Sequence, residues 1–142
     1  MRVGGAQFLA DEPEEAGGLG SGPTPYDLLS AGLGACTAMT LRMYADRKGW
    51  PLERTRVTVG HARAADRTPR DVFSRQVAMT GALDPNQRAR LMEIAGRCPV
   101  HRTLTEGAAI ETTDAEHARD LPAAESPVQH ARDAAASAGL KD

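Results

Sequence analysis

The chain has 142 residues, 17 Lys and Arg against 19 Asp and Glu for a formal charge of −2, and 41% hydrophobic residues. That length supports one domain with its own core and excludes separate catalytic and cofactor domains. Aromatics at 4% and a near-neutral charge exclude a nucleic-acid reader built on stacking platforms or a basic phosphate-tracking surface. No run of about 18 apolar residues and no charged-then-apolar leader occurs, so a cytoplasmic protein with no membrane partner is expected. In a reducing compartment the two cysteines, Cys36 and Cys98, read as free, metal-bound or redox-active rather than as a static bridge.

Arg2 to Ala10 reads as a short strand pair turning at Gly4-Gly5, or as the end of one strand and the start of another. The glycines at 17, 18, 20 and 22 resemble a nucleotide loop only in spacing. No apolar strand precedes them and no Gly-Lys-Ser/Thr follows, so the stretch is a connecting loop. Thr24 as N-cap, Pro25 at the first helical position and Asp27 in the first turn open a helix that runs to Lys48, where Gly49 ends it and Pro51 forbids resumption. Residues 28–39 are apolar or small on every side, which predicts a largely buried core helix, with Gly32 and Gly34 expected to admit another backbone.

Val57 and Val59 alternate with Arg56 and Thr58, and beyond a polar loop at 65–70 Phe73, Val77 and Met79 fall among polar residues, which predicts an antiparallel pair. Asp84-Pro85-Asn86-Gln87 has a capping-box pattern, and Leu91, Ile94, Ala95 and Cys98 continue one apolar face of a second helix. Pro99 interrupts that helix, a short turn carries residues 101–105, and Gly107 leads into an expected final strand from Ala108 to Thr112. The order predicts an α+β domain over residues 1–113. Residues 114–142 hold nine alanines, six acids against three bases and few large apolar side chains, and are expected to be a flexible Ala-rich acidic tail.

Cys36 stands too far from its helix start for the dipole to lower its pKa. Taken alone it reads as a compact core residue or as a thiol that needs a nearby cation. Cys98 begins Cys98-Pro99-Val100-His101, in which His101 could help to hold a thiolate; the plainer alternative is a core cysteine before a proline-started turn. Zinc would need His61 as a fourth ligand. No G-x-S-x-G elbow supports a hydrolase.

The run from Gly22 to Met39, containing Gly22-Pro23-Thr24-Pro25-Tyr26-Asp27-Leu28-Leu29 and Leu33-Gly34-Ala35-Cys36-Thr37-Ala38-Met39, and the later Arg97-Cys98-Pro99-Val100-His101-Arg102-Thr103-Leu104 resemble the two cysteine motifs of the OsmC/Ohr superfamily, over about Arg2 to Thr113. The resemblance implies an intertwined α+β homodimer with an antiparallel sheet and a long central helix bearing Cys36. It also implies attack of Cys36 on an organic hydroperoxide, resolution by Cys98 as a disulfide, and restoration by a dithiol reductant with no metal or organic cofactor. In the peroxidatic members a Glu follows the proline that opens the cysteine helix and an Arg from an N-terminal strand supports the thiolate. Here Tyr26 takes the first position with Asp27 beside it, the N-terminal strand region is expected to be cut short, and Arg2 is the cation left there. These departures place the chain nearer the OsmC-like branch. Arg2, Asp27 and His101 are therefore the candidate supports of the thiolate. The alternative implied is a non-enzymatic dimer that binds a small apolar ligand or a partner, with both cysteines as packing.

Overall fold

The computed structural model describes residues 2–3 and 6–114, with isolated positions at 132, 136 and 139. The expected tail therefore lies almost wholly outside the described residues. Strands β1 (Arg2–Val3) and β2 (Ala6–Gln7) pair antiparallel around the double glycine, as their sequence predicts. A 3-10 turn at Glu14–Ala16 follows, inside a loop held together by the Asp11 carboxylate, which accepts from the Leu19 and Ser21 backbone N–H groups and from the Ser21 hydroxyl.

Helix α1 spans Pro25–Lys48, and Gly49, at φ +63°, closes it in the left-handed region that favours glycine. It is the longest element, and β3, α2 and α3 pack against it. The hairpin of β3 (Arg54–Arg63) and β4 (Asp71–Thr80) pairs antiparallel from Arg54 with Thr80 through Arg63 with Asp71. The half-buried residues alternate, so Val57 and Val59 on β3 and Phe73, Arg75, Val77 and Met79 on β4 share one face. Helix α2 (Pro85–Ala95) starts from Asp84 and Gln87 in a reciprocal capping box, and α3 (Pro99–Glu106) follows after three residues.

The core is two clusters strung along α1. Its C-terminal half packs Leu41, Tyr44 and Ala45 against Leu52, Leu83, Leu91, Ile94 and Ala95. Its N-terminal half packs Leu33 and Cys36 against Cys98, with Val59, Phe73, Val100 and Leu104 around them. Arg42 ties the helix to the chain entering β3 by donating to the Leu52 and Glu53 carbonyls.

The described chain departs from the sequence expectations in four places. Cys98 does not continue the α2 face: α2 ends at Ala95, and Cys98 is buried as the N-cap of α3, because the fixed φ of Pro99 starts a new helix at its own first position. The expected turn at 101–105 is accordingly helical. Residues 108–112 form no strand: β3 and β4 pair only with each other among the described residues, which leaves Ile110 90% exposed. On α1 the glycines admit no backbone. A Cβ at Gly34 would come within 3.4 Å of the Val59 side chain, whereas one at Gly32 would meet open space.

That last difference reaches further, because α1 is not buried all round. Leu29 is 46% and Met39 53% exposed, with Ala31, Gly32 and Ala35 open beside them, so one flank of the helix is apolar and uncovered in the single chain.

Candidate active site

Cys36 and Cys98, 62 residues apart in the chain, meet in the N-terminal cluster, 3% and 0% exposed, both as free thiols. The two thiols are near enough for the ionisation of one to act on the other. Three elements converge to make this possible. Helix α1 presents Cys36 and Thr37 inward, Cys98 caps α3, and β4 crosses beneath with Arg75 on the face that carries Phe73 and Val77.

Each sulfur has its own polar company. The Val100 backbone N–H, in the first turn of α3, donates to Cys36 Sγ at 3.5 Å. Thr37 Oγ1 lies 3.6 Å from Cys98 Sγ, donates to the Leu33 carbonyl at 2.7 Å, and accepts from Arg75 Nη1 at 2.7 Å. Cys98 thus stands one hydroxyl away from a half-buried guanidinium. The pair ionises as a unit. The Cys36 thiol first, then the His101 N–H, the Thr37 hydroxyl and last the Arg75 charge lower the Cys98 thiol below the ordinary range, against the opposing effect of burial. In turn the neighbouring Cys98, and then the desolvation around Cys36, push the Cys36 thiol far up.

The residues expected to support the thiolate fall out differently. Arg2 is on β1, paired with Gln7, and its side chain lies outside the described residues. Asp27 is spent on the helix start: its carboxylate accepts from the Thr24 N–H at 3.0 Å and the Thr24 hydroxyl at 2.8 Å, bonds that lower its own pKa. It precedes Cys36 by nine residues, about 13 Å along the axis. His101 contributes its backbone rather than its imidazole, since its N–H faces the Cys98 sulfur without closing a capping hydrogen bond. His61 is held elsewhere, bonded to Asp71 at 2.9 Å and stacked on Tyr26 at 4.0 Å.

Arg75 and Thr37 are the residues that sequence reasoning passed over. The signal for Arg75 was the strand period itself. With Phe73, Val77 and Met79 inward, position 75 is inward too, and an arginine on a core-facing position calls for a partner.

The Cys36 flank of α1 also borders a cleft of about 310 Å3 between that helix and β3, floored by Gly34, Val57 and Val59 and rimmed by Asp27 and Ser30. Ala35 lines it, one residue before the buried sulfur. Among the described residues no group of His, Cys, Asp and Glu is arranged to hold a metal ion, and no helix is long and apolar enough to cross a membrane.

This architecture has known counterparts. A protein from Psychrobacter arcticus 273-4 named for an osmotic stress and detoxification response superposes with a TM-score of 0.57 at 26% identity, over 66% of this chain and 69% of that one. An organic hydroperoxide resistance protein OsmC from Legionella pneumophila superposes at 0.54 and 26% identity, over 66% and 70%. A Vibrio cholerae structure with captopril in one of its active sites shares the fold at 24% identity and a TM-score of 0.53, over 66% of each chain. No curated protein sequence gives a significant match. The family described as OsmC-like protein matches residues 18–113, which takes in both cysteines, the β3–β4 hairpin and all three helices. The chain belongs to the OsmC-like protein family.

Proposed function

We propose that the protein is a thiol-dependent peroxidase that reduces organic hydroperoxides through Cys36 and Cys98. The observation that carries this reading is the meeting of two free thiols in one apolar pocket, with the Val100 N–H donating to the Cys36 sulfur and the Thr37 hydroxyl beside the Cys98 sulfur. The hydroperoxide-resistance name of the Legionella pneumophila structure supports it. Cys36 sulfur attacks the outer peroxide oxygen, the O–O bond breaks, and an alcohol leaves with Cys36 as a sulfenic acid. Cys98 then attacks that sulfur and expels water, closing a disulfide that a dithiol reductant reopens by exchange. Every electron comes from sulfur, so the cycle calls on no metal or organic cofactor. The walls of Leu33, Val59, Phe73 and Leu104 favour an alkyl or lipid-like hydroperoxide over hydrogen peroxide. Cumene hydroperoxide in excess is expected to consume both thiols of the reduced protein within minutes, read by thiol counting. Retention of both overturns the proposal and favours a dimer that binds an apolar ligand without catalysis.

The working form is proposed to be an intertwined homodimer. The uncovered α1 flank through Leu29 and Met39, and the unpaired stretch around Ile110, are the apolar surfaces a second copy would cover. Sedimentation velocity is expected to return twice the 15.0 kDa of one chain, and a single-chain mass at micromolar concentration overturns it.

A further inference from the structure

We infer that Arg75 is a positioning residue for the second chemical step: through the Thr37 hydroxyl it supports the charge that develops on the Cys98 sulfur as that sulfur closes the disulfide. The inference rests on the peroxidase reading and deepens it, by giving each sulfur its own support at its own step.

The polar contacts of the pocket divide between the two sulfurs. The fixed donor on Cys36 is the Val100 backbone N–H, at 3.5 Å. The hydroxyl beside Cys98 is that of Thr37, at 3.6 Å, and it is gripped from two sides: it donates to the Leu33 carbonyl and accepts from Arg75 Nη1, each at 2.7 Å. Arg75 thus reaches the pair on the Cys98 side.

Thr37 is free to change partners without cost to its helix. It is wholly buried on α1, and the Leu33 carbonyl one turn back takes the Thr37 backbone N–H as its helical bond, so the hydroxyl proton is a second bond to the same oxygen. The hydroxyl can therefore turn its proton from that carbonyl to a charged sulfur and leave no buried acceptor unpaired. Arg75 stays on the oxygen as this happens. It polarises the O–H toward the sulfur and keeps a positive charge one atom behind it.

The placement of Arg75 points the same way. Strand β4 sets it between Phe73 and Val77 on the core-facing side, directly across from Val59, half-buried and hydrogen-bonded to Thr37 rather than to a carboxylate. Leu33, Val59, Phe73, Val100 and Leu104 around the cysteines are all apolar, so negative charge forms beside this guanidinium on sulfur. The other groups that act on Cys98 are Cys36 from α1 and the His101 backbone N–H from α3; the charged side chain is Arg75.

The step itself balances. Cys36, once oxidised to the sulfenic acid, has no thiol proton left to share, so Cys98 ionises alone. Its sulfur bonds the Cys36 sulfur, the S–O bond breaks with its electron pair on oxygen, and the hydroxide released takes up the proton that left Cys98, giving water and the disulfide. Cys98 supplies the electron pair of the new bond, so the two-electron oxidation first held by Cys36 is shared between the sulfurs. Attack on the hydroperoxide draws on the Val100 side of the pocket, and closure on the Arg75 side.

The test puts a mixed disulfide in place of the sulfenic acid, with no hydroperoxide present, so failure of the peroxidase reading leaves its result standing. Reduced full-length protein is mixed with 4,4′-dithiodipyridine in stopped flow. Attack by Cys36 releases one thiopyridone, and attack of Cys98 on the Cys36 mixed disulfide releases the second and closes the same bridge. Cys98→Ser is expected to keep the first release and lose the second. In Arg75→Met the midpoint of the second phase is expected to rise by about one pH unit. Because a less acidic thiolate is a better nucleophile, closure is then about threefold slower below the midpoint and no slower above it. Thr37→Val, of nearly equal volume, is expected to move the second phase the same way, and Arg75→Lys to recover most of the wild-type profile. A merely structural role slows closure at every pH. That uniform slowing, an equal slowing of both phases, or a second phase unmoved in Thr37→Val or in a folded Arg75→Met overturns the inference. So does a wild type that releases no second thiopyridone, or a Cys98→Ser protein that loses the first.

Discussion

With serine at position 36, consumption of an organic hydroperoxide is expected to fall to the uncatalysed rate, a loss of about 10^3-fold or more. A serine oxygen has neither the acidity nor the high-energy, polarisable lone pair needed to open an O–O bond, and it has no accessible oxidised state. Serine at position 98 gives a different outcome. Cys36 Sγ keeps the Val100 N–H, so the first attack on peroxide still occurs. With no resolving sulfur, Cys36 then climbs to the sulfinic and sulfonic states, read as successive gains of oxygen in intact mass. The pair of variants separates the two roles: loss of all reaction at position 36 and loss of turnover at position 98. Full turnover by the Cys36→Ser protein would overturn the assignment of the attacking sulfur.

The sequence made some of this legible for identifiable reasons. Helix α1 was bounded by groups whose chemistry is local, Thr24 and Pro25 at one end and Gly49 at the other, and the β3–β4 hairpin by a two-residue alternation that needs no knowledge of the rest of the chain. What was not legible depended on placement in space. Asp27 looked available as a charge near a thiol, but the capping box that made it a good helix starter uses both its lone-pair capacity and its position. Cys98 fitted the i+7 spacing of α2, yet the proline after it makes it the N-cap of a new helix, and that shift turns its sulfur to face α1.

Arg75 lay between these cases. Its strand was found and its face was implied by Phe73 and Val77, but the partner that explains an inward guanidinium, Thr37, stands 38 residues away on another element. The final strand failed for the converse reason. Residues 108–112 have strand composition, but a strand exists only with a neighbour, and none pairs with them among the described residues.

Leu41→Ala is expected to lower folding stability by about 3 to 4 kcal/mol while leaving thiol chemistry intact in the fraction that stays folded. Leu41 is fully buried in the C-terminal cluster, where α1 meets Leu91 and Ile94 of α2. For a domain of this size the loss corresponds to a fall in melting temperature of about 10 to 15 °C. Leu19, 82% exposed in the loop before α1, serves as the matched control, and its alanine variant should stay within about 0.5 kcal/mol of wild type. The contrast also tests the two-cluster organisation of the helix. Leu41 lies five residues beyond Cys36 but in the other cluster, so its cavity removes packing between α1 and α2 without touching Leu33, Phe73, Val100 or Leu104 around the sulfurs. If Leu41→Ala instead slows thiol oxidation at temperatures well below its melting point, the clusters are mechanically continuous, and α2 belongs to the machinery that holds Cys36 against Cys98.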